Sequence, residues 1–398
     1  MGEKNLTLLG STGSIGKNTL DVVNRSPGRF RVYALAAHSN ISLLREQIAA
    51  HRPALAAVYD PEAAEQLRRS LSPSSGTTIL EGMEGLVEVA TAAPVNLVVA
   101  GIVGAVGLRP TFAAIEAGKQ VARANKETLV LAGELMMRVA EQSGSLLLPM
   151  DSEHNAIFQC LGSADRGQVA RIVLTASGGP FRDLPPEQFG KITLAEALAH
   201  PNWKMGPKIT VDSATMMNKG LEVIEARWLF GLEPPNVQVL IHRQSIVHSL
   251  VEFIDGSVIA QLGLPDMRVP IAYCLAYPER IPLDLPRLEL AKAGRLDFEE
   301  VSERKFPCLF MALEALRLGG GAPAALNGAN EVVVASYLED SFPFTEIAAI
   351  LKKTMTLLGE ASAGPAVPPY LLAVKSVEDA IAADEWGRRT AASLLGNA

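Results

Sequence analysis

The feature that most restricts the fold of this chain is an alternation. Over residues 1–150, short apolar runs at Asn5–Leu9, Phe30–Ala37, Ala54–Val58, Asn96–Ala100, Gln120–Ala124 and Ser145–Leu148 are separated by helical patterns. Those helices are expected at Ser14–Asn24, Ile41–His51, Pro61–Leu71, Gly107–Ala117 and Thr128–Gln142. Strand and helix in turn predict a mostly parallel sheet with helices on both faces, an α/β domain. The first strand runs into Gly10-Ser11-Thr12-Gly13-Ser14-Ile15-Gly16. Glycines at that turn let the backbone approach a pyrophosphate, and the helix that follows offers free N–H groups and the positive end of its dipole. The spacing is G-x-x-G-x-x-G, not G-x-G-x-x-G, and a tight turn without a ligand is the competing reading. Its place between strand and helix near the N-terminus favours a dinucleotide site.

The second strand ends in Ala36-Ala37-His38-Ser39-Asn40. An acid that would hold a ribose 2′-hydroxyl is missing there. His38, Ser39 and Asn40 are polar groups that suit a 2′-phosphate, hence NADP over NAD; Ser39-Asn40 also reads as a helix cap. Lys126, in Ala124-Asn125-Lys126-Glu127, falls at a strand's carboxyl end, where ligands meet such folds.

Pro149-Met150-Asp151-Ser152-Glu153-His154 places two carboxylates two residues apart after a buried strand. In extended backbone they would share a side and suit a hard divalent cation; Asp151 or Ser152 as a helix cap is the plainer alternative. After residue 150 the texture changes. A β-branched strand at Val169–Ala176 leads to Ser177-Gly178-Gly179-Pro180-Phe181, then a long, poorly periodic loop with a short helix near Thr193–Ala199 and His200-Pro201-Asn202-Trp203-Lys204-Met205-Gly206. Such a loop reads as an active-site lid, with His200 a donor and Trp203 an aromatic cover. Ser213, Asn218, Lys219 and Glu222 lie in a helical stretch from Val211 to Phe230. A donor set with an acid one turn on suits a phosphate or polyol next to a metal. Val237–His242, Ile246–Phe253 and Val258–Leu262 read as strands, with Asp255-Gly256 a hairpin turn. This predicts an α+β domain whose open face is a dimer surface. Residues 281–305 lack a period and read as a linker. Four helical patterns follow, at Phe306–Leu318, Ala322–Leu338, Phe344–Leu358 and Val374–Leu395, with Gly328 placed for close approach to a neighbour.

The 398 residues are too many for one core, and a net charge of −7 argues against nucleic acid or an anionic membrane as partner. Cys160, Cys274 and Cys308 are scattered, without a C-x-x-C pair, which fits a reducing compartment. A secretory signal and a spanning run are both missing from the pattern, so a cytoplasmic protein is expected.

Taken together, G-S-T-G-S-I-G at 10–16, A-N-K-E at 124–127, D-S-E-H-N-A-I-F-Q at 151–159, S-G-G-P-F at 177–181, H-P-N-W-x-M-G at 200–206, D-S-A-T-M-M-N-K-G-L-E at 212–222 and the D-G hairpin resemble the 1-deoxy-D-xylulose 5-phosphate reductoisomerase family, in order and over essentially the whole chain. The resemblance implies a Rossmann-like NADP-binding domain (1–150), a catalytic and dimerisation domain with a mobile loop (151–280), a linker (281–305) and a C-terminal helical domain (306–398), in a bacterial-type homodimer. It implies Asp151, Glu153 and Glu222 as ligands of magnesium, manganese or cobalt. Lys126, Ser152, Glu153, Ser177, His200, Trp203, Ser213, Asn218, Lys219 and Glu222 would contact a sugar phosphate, with Ser177, Ser213, Asn218 and Lys219 on its phosphate. Thr12, Gly13, Ser14, Ile15, Asn40, Asn125, Glu127 and Gly206 match NADPH contacts; His38 and Ser39 depart from the family's usual Gly and basic residue. Lys126 and His200 would join the acids in catalysis. The implied reaction is a metal-assisted skeletal rearrangement followed by NADPH-dependent reduction to 2-C-methyl-D-erythritol 4-phosphate. Two rivals stand beside it: a semialdehyde-type dehydrogenase, which needs a catalytic thiol that Cys160 would have to supply, and a non-catalytic NADP-binding protein. Arg123 has no account in this reading.

Overall fold

The structure is a computed structural model that describes residues 3–72, 75–200, 206–364 and 366–396. In chain order, the first half runs β1 (Lys4–Leu9), α1 (Ser14–Asn24), β2 (Phe30–Ala37), α2 (Ile41–His51), β3 (Leu55–Val58), α3 (Pro61–Ser70), β4 (Thr78–Glu81), α4 (Gly82–Thr91), β5 (Leu97–Ala100), α5 (Leu108–Glu116), β6 (Gln120–Arg123), α6 (Glu127–Ser143) and β7 (Leu147–Pro149). Then come α7 (Ser152–Leu161), β8 (Val169–Ala176), α8 (Leu194–Ala197), α9 (Pro207–Thr215), α10 (Met217–Phe230), β9 (Val237–Ile241), β10 (Val247–Phe253), β11 (Val258–Leu262), α11 (Arg268–Ala276), α12 (Leu290–Ala293) and β12 (Glu299–Glu300). Five helices complete the chain: α13 (Pro307–Leu318), α14 (Ala322–Leu338), α15 (Phe344–Ala363), α16 (Pro369–Leu372) and α17 (Val377–Gly396).

Two compact units emerge, and neither is a continuous piece of chain. One holds residues 1–128, 136–155 and 266–285; the other holds 129–135, 156–265 and 286–398. In the first unit a seven-stranded sheet has the order β4-β3-β2-β1-β5-β6-β7, with every pair parallel. The four residues of β5 are all buried, as both faces of a parallel sheet require. Strand order reverses between β1 and β5, so their carboxyl ends flank the crevice where such folds take ligands. One strand was not expected. β4, Thr-Ile-Leu-Glu, sits at the sheet edge with no buried residue, and therefore lacks the apolar run that betrays the central strands. The helix α11 belongs to this unit: Arg268 ion-pairs with Asp21 of α1 at 3.0 Å, and Lys4 Nζ donates to the carbonyls of Leu275 and Tyr277.

In the second unit the sheet order is β11-β10-β8-β9-β12. The β10–β11 pair is the expected antiparallel hairpin, but β8 and β9 pair in parallel, which needs the long crossover through α8, α9 and α10. The stretch read as a linker is partly structured. Glu299 and Glu300 pair with β9, His242 Nδ1 is 2.8 Å from the Asp297 carbonyl, and the His242 ring stacks on Phe298 at 4.7 Å. The long loop after β8 is likewise packed in its first part, where Phe181, Phe189 and Phe344 form an aromatic cluster with centroids 5.2–6.1 Å apart. A capping box between Thr193 and Glu196 starts α8. Among the terminal helices, α14 and α17 approach closely because a Cβ on Gly328 would stand 2.1 Å from the Asp384 carbonyl oxygen, and one on Gly387 1.9 Å from that of Ala325. The expected close approach at Gly328 is therefore present.

Candidate functional site

The glycine turn is built as its spacing requires. Gly10 has φ +85°, and a Cβ there would lie 2.7 Å from the Gly101 carbonyl oxygen after β5; one on Gly16 would lie 2.3 Å from that of Ser11. Both positions exclude a side chain on packing grounds. Gly13 is the N-cap of α1 with no side-chain cap and no acid in the first turn, so the helix presents uncapped N–H groups beside exposed Gly13 and Ser14 and half-buried Thr12 and Ile15. Buried Ser11 donates to Gln47 Oε1 at 2.7 Å and accepts from Gln47 Nε2 through its carbonyl at 2.9 Å, which ties the turn to α2. Gln47 was not singled out from sequence, because its partner lies 36 positions away.

His38, Ser39 and Asn40 are exposed at the end of β2. His38 Nδ1 is 3.3 Å from Ser39 Oγ and its ring leans on Tyr59 at 5.3 Å. Asn40 caps α2, accepting from Leu43 N–H, so the capping reading holds for that side chain. Asn125 is buried, and its amide donates to the carbonyls of Ile102 and Gly104 while its Oδ1 accepts from Thr128 N–H. It joins the loops after β5 and β6. Arg123, unexplained by sequence, is 1% exposed and donates to the Asn125 carbonyl at 2.8 Å, bracing the same turn. Glu127 is buried at the start of α6.

Lys126 is 3.1 Å from Asp151 Oδ2. Burial by itself would raise the Asp151 carboxyl, but the Lys126 ammonium and His154 outweigh it and hold Asp151 well below the usual carboxylate range. His154, on the first turn of α7, is fully buried with Nδ1 3.7 Å from Asp151 Oδ1. The geometry corrects one expectation. β7 ends at Pro149 and Ser152 already opens α7, so Asp151 and Glu153 do not stand on one face of an extended strand. Asp151 instead heads the helix, its carbonyl accepting from Asn155 N–H at 2.8 Å, and Glu153 lies in the first turn, where the dipole favours an acid. Ser152 Oγ donates to Glu153 Oε2. Asn155 Nδ2 and Cys274 Sγ both donate to the Pro149 carbonyl and so lock the strand-to-helix corner.

The second unit carries its own polar set. The stretch from Val211 to Phe230 is two helices, not one: Met216 has φ +62° and separates α9 from α10. Ser213 therefore ends one helix while Asn218 and Lys219 begin the next. On α10, Lys219 Nζ and Asn218 Nδ2 donate to the two oxygens of Glu222, each at 2.5 Å, and both Lys219 and Glu222 are buried. Gly179 (φ +65°) lies against the Ser213 carbonyl, where a Cβ would come within 2.7 Å, so the Ser177-Gly178-Gly179 loop rests on the end of α9. Ser177 Oγ accepts from Gly179 N–H and is 3.1 Å from His200 Nε2. Burial, then the Arg182 charge, lowers the His200 imidazole to about 4. Gly206 caps α9; Trp203 lies outside the described residues.

The donors fit the groups the sequence implied. Asp151, Glu153 and Glu222 offer only oxygen, the choice of a hard divalent cation, and the uncapped start of α1 offers backbone N–H groups to a pyrophosphate. The thiols fit no catalytic task. All three cysteines are free and buried; burial pushes Cys160 up to about 11 and Cys308 to about 12, far from a thiolate nucleophile.

Comparison with known proteins agrees over the full length. The family model of 1-deoxy-D-xylulose 5-phosphate reductoisomerase matches residues 6–133, that of its C-terminal domain matches 147–230, and a DXP reductoisomerase C-terminal domain model matches 262–390. The chain is 51% identical over 396 residues to the 1-deoxy-D-xylulose 5-phosphate reductoisomerase of Pseudomonas putida (strain W619), covering 98% of this chain and 97% of that one. To the enzyme of Ralstonia nicotianae it is 53% identical over 391 residues, covering 97% and 96%. Among solved structures, the Zymomonas mobilis enzyme in complex with NADPH superposes with a TM-score of 0.90 at 42% identity, covering 99% of both chains. A reductoisomerase in complex with NADPH, fosmidomycin and magnesium gives 0.91 at 42%, covering 99% and 98%. The chain belongs to the 1-deoxy-D-xylulose 5-phosphate reductoisomerase family.

Proposed function

We propose that Asp151, Glu153 and Glu222 hold one divalent cation, that Ser177, Ser213, Asn218 and Lys219 bind the phosphate of the substrate, and that Ser152, Lys126, His200 and Trp203 contact its carbon chain. The chain is an NADPH-dependent reductoisomerase that converts 1-deoxy-D-xylulose 5-phosphate to 2-C-methyl-D-erythritol 4-phosphate in isoprenoid biosynthesis. Membership of the family over nearly the whole length carries this reading. When bound, the cation would supply Lewis acidity and the nicotinamide would supply hydride.

The chain's own groups do the rest. Lys126 keeps Asp151 ionised, so the carboxylate is ready at neutral pH. Neutral His200, beside Ser177, donates or accepts a hydrogen bond without adding charge next to a phosphate. The uncapped first turn of α1, with Thr12, Gly13, Ser14 and Ile15, takes the pyrophosphate. His38, Ser39 and Asn40 surround the 2′-phosphate, and Asn125, Glu127 and Gly206 complete the cofactor's contacts. Residues 1–150 serve as the NADP-binding domain, 151–280 as the catalytic and dimerisation domain and 306–398 as a helical domain joined through 281–305. The working assembly is a homodimer in the cytoplasm. In support, no helix among the described residues is long and apolar enough to cross a membrane, and Ile254, Val258 and Ile259 leave apolar surface on the β10–β11 hairpin.

The test is consumption of NADPH on addition of 1-deoxy-D-xylulose 5-phosphate. It should require magnesium or manganese, stop on chelation and return when metal is restored. Unchanged consumption in the chelated protein would refute the metal-binding reading.

A further inference from the structure

One buried polar cluster lies outside the residues given a role above. Asp212, on α9 immediately before Ser213, is 1% exposed. Its Oδ2 pairs with Lys208 Nζ at 2.8 Å, one turn back on the same helix, and its Oδ1 accepts from Asn330 Nδ2, also at 2.8 Å. Asn330 is fully buried on α14, 118 positions away. Its Oδ1 has no hydrogen-bond partner among the described residues. An orphaned buried acceptor is a cost, and an apolar residue at 330 would avoid it.

The helix that carries Asn330 is tied to α17. One turn earlier on α14, Asn327 donates to Asp384 Oδ1 at 3.0 Å, and Arg388 donates to Asp384 Oδ2 at 2.6 Å and to Glu331. Gly328 and Gly387 let α14 and α17 meet backbone to backbone. On the other side of the contact, α9 is nine residues long, follows Gly206 without a side-chain cap and ends in the left-handed turn at Met216, so the Asp212–Asn330 bond sets its rotation together with the packing of buried Thr210, Val211, Ala214 and Thr215. Thr215 Oγ1 donates to the Asp212 carbonyl and accepts from Met217 N–H, so the end of α9 is tied to the turn at Met216. Ser213 would turn with α9, whereas Asn218 and Lys219 stand beyond that turn on α10, so a rotation of α9 about Asp212 would change the placement of Ser213 relative to them.

We propose that Asn330 is a positioning residue for the substrate's phosphate, acting through Asp212 to fix Ser213 relative to Asn218 and Lys219. A buried ionic group adds little net stability over an apolar one; its contribution in this proposal is one fixed arrangement of α9 against α14. The inference rests on the phosphate-binding role given to Ser213, Asn218 and Lys219.

The experiment measures KM for 1-deoxy-D-xylulose 5-phosphate, kcat, and the dissociation constant of NADPH by fluorescence. Asn330→Asp sets two carboxylates face to face; KM should rise by roughly tenfold, with kcat within about twofold and NADPH affinity unchanged. The exchange Asp212→Asn with Asn330→Asp rebuilds the pair with its partners reversed and should bring KM back to within about threefold of the parent. If Asn330→Asp does not fold, Asn330→Ala is read in its place, and its KM should rise as well. A folded Asn330 variant with unchanged KM overturns the proposal, as does an exchange variant that regains thermal stability without regaining KM. Lys219→Ala separates the two layers. If it leaves KM unchanged, the phosphate assignment has failed; if it raises KM while the Asn330 variants do not, only the positioning role has failed.

Discussion

Glu222 is a buried carboxylate whose two oxygens already meet donors from its own helix. Replacing it by Gln keeps the shape and removes the charge a cation needs. Glu222→Gln should lower kcat/KM by roughly a hundredfold or more while NADPH binding is retained, and normal turnover at ordinary metal concentration would refute the ligand role. Lys126→Met tests a different link. The ammonium favours the charged form of Asp151, so its loss raises the Asp151 pKa. The acid limb of the kcat/KM profile should then move to higher pH. His200 gives a stability prediction. Its folded value, about 4, lies below the ~6.5 of an unfolded imidazole, so between those limits the unfolded chain binds more protons. The His200 contribution to stability is therefore constant above about pH 6.5 and is lost as pH drops toward 4. His200→Gln should flatten that part of the curve in urea titrations followed by fluorescence. At this scale the sequence was informative where a residue's chemistry is carried by close neighbours in the chain, as with Lys219 and Glu222. It was silent on Arg123 and Gln47, whose reasons are a carbonyl at a turn and a serine one strand away.

Elements were legible where their signals are local. The glycine turn, the β10–β11 hairpin at Asp255-Gly256 and the helix at Ala322–Leu338 follow from period and turn chemistry alone. The break at Met216 did not, because a methionine in the left-handed region has no propensity signal and is stabilised by packing around it. Nor did the irregular backbone at Ala132, inside α6, where φ is −139°. Gly133 follows it: a Cβ there would fall 2.1 Å from the Trp228 ring, so the helix takes an indole against bare backbone. The contact between α14 and α17 makes a sharper test. Gly387→Ala forces the helices apart by overpacking and should cost about 1–3 kcal/mol, read as a lower urea midpoint with an unchanged slope. Gly396→Ala, at the end of the same helix with open space around it, should cost far less.

For the whole molecule, the dimer prediction is direct: sedimentation should give twice the chain mass, and Ile259→Lys on the exposed hairpin should lower it toward one chain if that face is the interface. A doubled mass that survives the substitution would move the interface elsewhere. The chain by itself determined the class of fold and the chemistry available to it. Alternating periods, a glycine turn and acids in fixed motifs are written in neighbouring residues, where steric and hydrogen-bonding rules act over a few positions. What only the tertiary structure decided is how distant pieces are shared out. Residues 266–285 join the first sheet's unit, β9 pairs in parallel with β8, a two-residue strand at Glu299–Glu300 closes the second sheet, and Asn330 reaches Asp212. Those pairings depend on which buried surfaces and donors find each other after the loops between them close, and loop-closure entropy grows so slowly with length that sequence separation says little about which pairing wins.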